Sequence, residues 1–88
     1  MGQLQTCVPV SRDQLDAALL AAHERHDAAA LVALYTRAGD WAEARGDIDA
    51  ACFYLTHAFV FALEAGAPEA ALLNRRLADR GRARLIDF

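Results

Sequence analysis

Residues 46–66, GDIDAACFYLTHAFVFALEAG, decide the fold. The stretch opens on the turn dipeptide Gly46-Asp47 and stops at Gly66. Laid on a helix at about 100° per residue, Ile48, Ala51, Cys52, Leu55, Ala58, Phe59 and Ala62 share one broad face. Tyr54 and Phe61 occupy a flank. Phe53 and Val60 lie on the far side, beside Asp49, Thr56 and Glu64. A helix that is apolar on every side is buried on every side. The expectation is a central helix over about 47–65, with the other segments packed against it.

Working outward, residues 1–10 read as an irregular arm, in which Pro9 restricts its neighbour. Met1 to Thr6 fits the myristoylation pattern M-G-x-x-x-[ST], with Cys7 close by; a frayed tail is the ordinary reading. Ser11-Arg12-Asp13-Gln14 has the form of a capping box and opens a helix over about 12–25 with Leu15, Ala18, Leu19 and Ala22 as its stripe. Asp27 is placed to cap a second helix, about 27–45, whose face carries Leu31, Leu34, Tyr35, Ala38 and Ala42. Gly39 inside that helix costs up to ~1 kcal/mol of propensity relative to alanine, so close packing against its backbone is expected. Gly66-Ala67-Pro68 stops one helix and starts another, about 68–80, with Ala71, Leu72 and Leu77 as its apolar side. Gly81 ends it, and the tail carries Leu85, Ile86 and Phe88. Connections this short make neighbouring helices antiparallel.

The chain has 88 residues and one domain, with the helical part at 11–88. Alanine fills 21 positions and proline only two, a composition that favours closely approaching helices. No run alternates as a half-buried strand does. The fold class read from these features is all-α, four antiparallel helices. All nine basic residues are arginine, a usage typical of a GC-rich, bacterial genome. The net charge of −3 argues against whole-domain binding to nucleic acid. Cys7 and Cys52 make no disulfide framework. No signal peptide is visible, and the apolar run 50–63 is short for a bilayer span. A cytoplasmic protein with no membrane partner is expected.

Within residues 32–65 the chain resembles the tetratricopeptide repeat (TPR), a helix–turn–helix of 34 residues. With Gly46-Asp47 as the turn, Tyr35 falls at the pattern's first aromatic position and Gly39 at its glycine. Ala51, Leu55 and Ala58 fall at the small, large and small positions of the second helix. Ala38 and Ala42 stand where the pattern has leucine and tyrosine, and the closing proline comes late, at Pro68. The resemblance implies TPR-like helical hairpins that bind protein partners. A fainter register uses His26-Asp27 as the turn between the first two helices.

No phosphate loop, nucleophile elbow or paired carboxylate appears, so no catalytic residue is expected and the protein is read as a non-enzyme. His23-Glu24-Arg25-His26 differs from H-E-x-x-H, whose histidines share a face at i and i+4. Cys52 and His57 diverge by roughly 140° around the helix. No metal site or cofactor is expected. Tyr35, Trp41, Tyr54 and Phe61 fit a helical core or, as the alternative function, a small-molecule- or metal-binding bundle. Arg75, Arg76, Arg80, Arg82 and Arg84 concentrate charge near a helix end. The ordinary reading is a complement to the macrodipole; the functional one is docking of an acidic partner or, behind it, of an RNA backbone. Phe53, Val60 and Phe61, left over once two helices cover the central one, are expected to form a homodimer contact, with Leu85, Ile86 and Phe88 as the alternative cover. The leading expectation is a protein–protein interaction module that self-associates.

Overall fold

Turn chemistry divides the chain where the sequence suggests. The computed structural model describes residues 12–86; the arm 1–10 with Cys7, the cap Ser11, and Phe88 lie outside the described residues. The helices are α1 (Arg12–Glu24), α2 (Ala28–Ala44), α3 (Ile48–Ala65) and α4 (Glu69–Asp79). The described residues contain no strand. Asp27 and Asp47 each accept a hydrogen bond from the backbone N–H three residues on, at Ala30 (3.1 Å) and Ala50 (3.2 Å), which satisfies a donor that the first helical turn leaves open.

All four helices close in the same way. Asp27, Asp47, Ala67 and Arg82 donate their N–H groups back five residues, to the carbonyls of Ala22, Ala42, Ala62 and Leu77, at 2.9–3.0 Å. The residue before each donor is left-handed: His26 (φ 53°), Gly46 (φ 80°), Gly66 (φ 65°) and Gly81 (φ 71°). This is the six-to-one closure of a Schellman ending. It exposes a repeat that helix-by-helix reading passes over. Ala18, Ala38 and Ala58 are spaced by twenty residues, as are Ala22, Ala42 and Ala62, and Asp27 and Asp47. One helix is thus one repeating unit, and a hairpin spans two of them.

Neighbours in sequence are neighbours in space: α2 packs on α1 and on α3, and α3 on α4. Leu15, Leu19 and Ala22 of α1 form a cluster with Leu31 and Ala38 of α2. A second cluster joins Val32 of α2 to Cys52, Leu55, Ala58 and Ala62 of α3 and to Ala70, Leu73 and Leu77 of α4. Gly39 works as its sequence position implies. A Cβ there would stand 2.7 Å from Cγ and Cδ2 of Leu55 and 3.3 Å from the carbonyl oxygen of Ala51. The bare backbone of α2 is what lets α3 come this near.

α3 is central, and its outer side is exposed: Phe53 is 58% exposed, Val60 44% and Leu63 48%. Two flanking helices reach only the side bearing Ala51, Leu55, Ala58 and Ala62. The expected apolar side of α4 is corrected: the buried face is Ala70, Leu73, Asn74 and Leu77, while Ala71 and Leu72 are exposed. Leu73 and Leu77 lie one helical turn apart and fill the core, which rotates Leu72 outward. By length and composition alone α3, 18 residues with a mean hydropathy of 1.3, could cross a bilayer. Its side bearing Ala51, Cys52, Leu55, Ala58 and Ala62 is core in this fold.

Ala58 is fully buried in the α3 seam. Ala58→Leu is expected to overpack it at a cost of about 1–3 kcal/mol. Chemical denaturation should show the midpoint fall with an unchanged slope; an unchanged midpoint would place Ala58 away from the helix contact.

Candidate interaction surface

Three groups of side chains outside the core were singled out by sequence, and the structure treats them differently. The first lies on the outer side of α3. Asp49, Phe53, Thr56, Val60 and Leu63 are all exposed, spaced by four, three, four and three residues. Leu85 and Ile86, the described apolar residues of the tail, are exposed themselves, so Phe53 and Val60 gain no cover from them. Thr56 turns its hydroxyl back to donate to the Cys52 carbonyl at 2.7 Å.

The second group is aromatic, and it continues the first around the flank of α3. Tyr35 of α2 stacks between Phe61, with ring centroids 6.0 Å apart, and His57, 5.0 Å away. His23 of α1 meets both Phe61 and Tyr35 edge-on, and its Nε2 is hydrogen-bonded to the Tyr35 hydroxyl at 3.0 Å. Phe53 packs on His57, with centroids 4.6 Å apart, and on Tyr54. Because a carbonyl can only accept, the 2.9 Å contact between His57 Nδ1 and the Phe53 carbonyl puts the proton on Nδ1. Burial first, and Tyr54 second, push the Tyr35 phenol above its ordinary pKa. Phe61 is therefore half-buried within the α1–α2–α3 junction, on the flank of the surface that Phe53 and Val60 share. Trp41 stands apart, with the Arg45 guanidinium 4.3 Å over its ring.

The third group, the arginines, divides. Arg76 reaches from α4 to Asp40 (2.6 Å) and Glu43 (3.1 Å) of α2, and Arg80 to Glu43 (2.8 Å). The hydrogen bond from Arg80, with the charges of Arg76 and Arg80, holds the Glu43 carboxyl below its usual range. Arg82 pairs with Asp49 at the start of α3 at 2.7 Å. These side chains tie α4 and the tail to α2 and α3. Arg75 lies exposed beside them.

A small cleft of about 150 Å³ lies between His23, His26, Leu31, Phe61 and Glu64. A more open groove of about 300 Å³ runs beside Ala29, Ala33, Thr36, Arg37, Asp40 and Glu69. Among the described residues no three His, Cys, Asp or Glu side chains group so as to hold a metal ion.

Sequence reasoning passed over Leu63 and Asn74. Leu63 continues the spacing of Phe53 and Val60 and was legible from it. Asn74, fully buried, donates from its side-chain amide to the Arg84 carbonyl (2.8 Å) and accepts from the Ile86 N–H (2.6 Å). A single asparagine in a helix gives no sequence signal of that role. No protein-family model, curated protein or solved structure matches the chain.

Proposed function

We propose that this chain is a non-catalytic protein–protein interaction module, built from TPR-like helical hairpins, that self-associates as a homodimer through the outer face of α3. The observation that carries the reading is the exposed row Phe53, Val60 and Leu63 on a helix whose opposite face is fully packed. Contiguous apolar surface of this kind marks contact sites, and a two-fold dimer needs only one self-complementary patch. The close approach at Gly39 and Leu55 supports the hairpin likeness; the twenty-residue helix repeat makes the hairpin period forty, longer than the 34 of the tetratricopeptide pattern. Phe61 joins the contact through its exposed edge. Arg75 is the arginine of the cluster best placed for an acidic partner, since Arg76 and Arg80 are engaged by α2.

A small-molecule function has less support. Among the described residues the aromatic rings stack on one another, the cleft beside them, about 150 Å³, is under the roughly 300–1,000 Å³ usual for ligand pockets, and the open groove of about 300 Å³ is lined by no aromatic ring.

Light scattering on a size-exclusion column should report about twice the mass of 9.6 kDa at roughly 100 μM, well above the micromolar dissociation constant expected of a small interface. Phe53→Asp with Val60→Asp, both at exposed positions, should return the monomer mass without loss of helicity. A wild-type protein that stays monomeric at that concentration overturns the proposal.

A further inference from the structure

The four helix endings differ in one residue. After α2, α3 and α4 the left-handed position is glycine, at Gly46, Gly66 and Gly81; after α1 it is His26, at φ 53°. Glycine enters this region of backbone space without steric cost, whereas a residue with a Cβ is uncommon there. The turn alone gives no reason for a histidine. Its ring stands in the wall of the cleft of about 150 Å³ that His23, His26, Ala28, Leu31, Phe61 and Glu64 line, where α1 and α3 finish and α2 begins.

That cleft combines three chemistries. Ala28 and Leu31 are apolar. Phe61 is an aromatic wall, held in place by Tyr35 stacked on it and His23 set edge-on to it. Glu64 and His26 supply acceptors, and neither side chain has a hydrogen-bonding or ionic partner among the described residues. The charge around the cleft is one-sided. Glu24, Asp27, Glu64 and Glu69 stand at this end of the fold against Arg25 alone. They account for the whole net charge of −3, because the remaining eight arginines and eight acids of the chain cancel. Two helices finish and two begin here, so their dipoles oppose one another and the side chains set the sign.

We infer that this cleft receives one arginine side chain of a protein partner. The inference rests on the reading of the chain as a protein-interaction module. The volume suits a single long side chain and falls short of what a free ligand occupies. The methylenes run along Ala28 and Leu31, and the guanidinium lies against the Phe61 ring, where a cation is attracted to the aromatic face. Its N–H groups donate to the Glu64 carboxylate and to the acceptor nitrogen of neutral His26. Arginine fits this set better than lysine. Its planar fork stacks on a ring and serves two acceptors at once, while an ammonium is a point charge that holds its water more strongly.

A peptide titration followed by NMR tests the assignment. The probe is acetyl-Gly-Ala-Arg-Ala-Gly-amide, added at low ionic strength to the full chain, with lysine and norleucine versions as controls. The arginine peptide should give saturable shifts centred on His26, Leu31, Phe61 and Glu64, the lysine peptide should bind several-fold more weakly, and the norleucine peptide should give none. Glu64→Gln should weaken the arginine peptide roughly tenfold, the worth of one charge-assisted hydrogen bond. His26→Gly separates binding from folding: the thermal midpoint should hold or rise, because glycine relaxes the left-handed turn, while affinity falls several-fold. Unchanged affinity in His26→Gly would overturn the inference, as would equal binding of the lysine or norleucine peptide. So would an arginine peptide that leaves the cleft unshifted. Self-association is read separately by light scattering, so a monomeric wild type that still binds the arginine peptide would sink the homodimer and leave the cleft standing.

Discussion

Leu55→Ala is expected to destabilise the protein by about 2–5 kcal/mol and, in the same experiment, to reverse the sign of Gly39→Ala. Leu55 is fully buried, and its Cγ and Cδ2 occupy the space that a Cβ on Gly39 would enter. With Leu55 present, Gly39→Ala gains up to ~1 kcal/mol of helix propensity and loses about 1–3 kcal/mol to overpacking. The clash wins, because it falls on the branch point of a side chain with no room to turn. With Leu55 cut back to alanine the 2.7 Å clash is gone, and only the tight 3.3 Å approach to the Ala51 carbonyl oxygen stands against the propensity gain. Denaturant unfolding of the four proteins in the cycle measures the coupling directly. Equal effects of Gly39→Ala in both backgrounds would show that the helices do not meet at this point. Since a small domain has only about 5 kcal/mol or somewhat more to lose, Leu55→Ala is best read in low denaturant or with a stabilising osmolyte.

The same pair shows what a single sequence can disclose. A glycine inside a helix that is otherwise rich in alanine has no local use, so its purpose must lie across the helix interface. That inference needed no coordinates, and neither did the caps at Asp27 and Asp47, because turn chemistry acts within a few residues. Which side of α4 is buried was not legible. Leu72, Leu73 and Leu77 admit two faces, and the choice depends on Asn74 finding its partners in a tail ten to twelve residues further on. The uncovered side of α3 was legible by counting neighbours: apolar residues on every side imply burial on every side only when there are enough helices, and α2 and α4 reach the side bearing Ala51, Leu55, Ala58 and Ala62. The arginines show the limit of charge counting. Five cations near one helix end look like a docking patch until Asp40, Glu43 and Asp49, thirty or more residues earlier, prove to lie within reach of three of them.

Asn74 supplies the other large effect. Its amide faces a carbonyl and an N–H of the extended tail, which present themselves on the same side because residues 84 and 86 are two apart. Asn74→Asp keeps the shape and changes the chemistry. One carboxylate oxygen still accepts from the Ile86 N–H, but the other is forced against the Arg84 carbonyl with no proton between them. A buried, poorly paired carboxylate resists ionisation and its pKa rises by up to about 3–5 units, each unit being ~1.36 kcal/mol. The variant should therefore lose about 3 kcal/mol or more at neutral pH, limited by the cost of releasing the tail into water. The sign with pH follows from proton binding. Between the unfolded value near 3.9 and the raised folded value, the native state holds more protons than the unfolded one, so stability falls as pH rises. Below that window the protonated acid donates to the Arg84 carbonyl as the amide did, and the variant should approach wild type. Urea midpoints of both proteins from pH 4 to 7 test this: a deficit that is the same at both ends would mean that residue 74 meets water, not the tail.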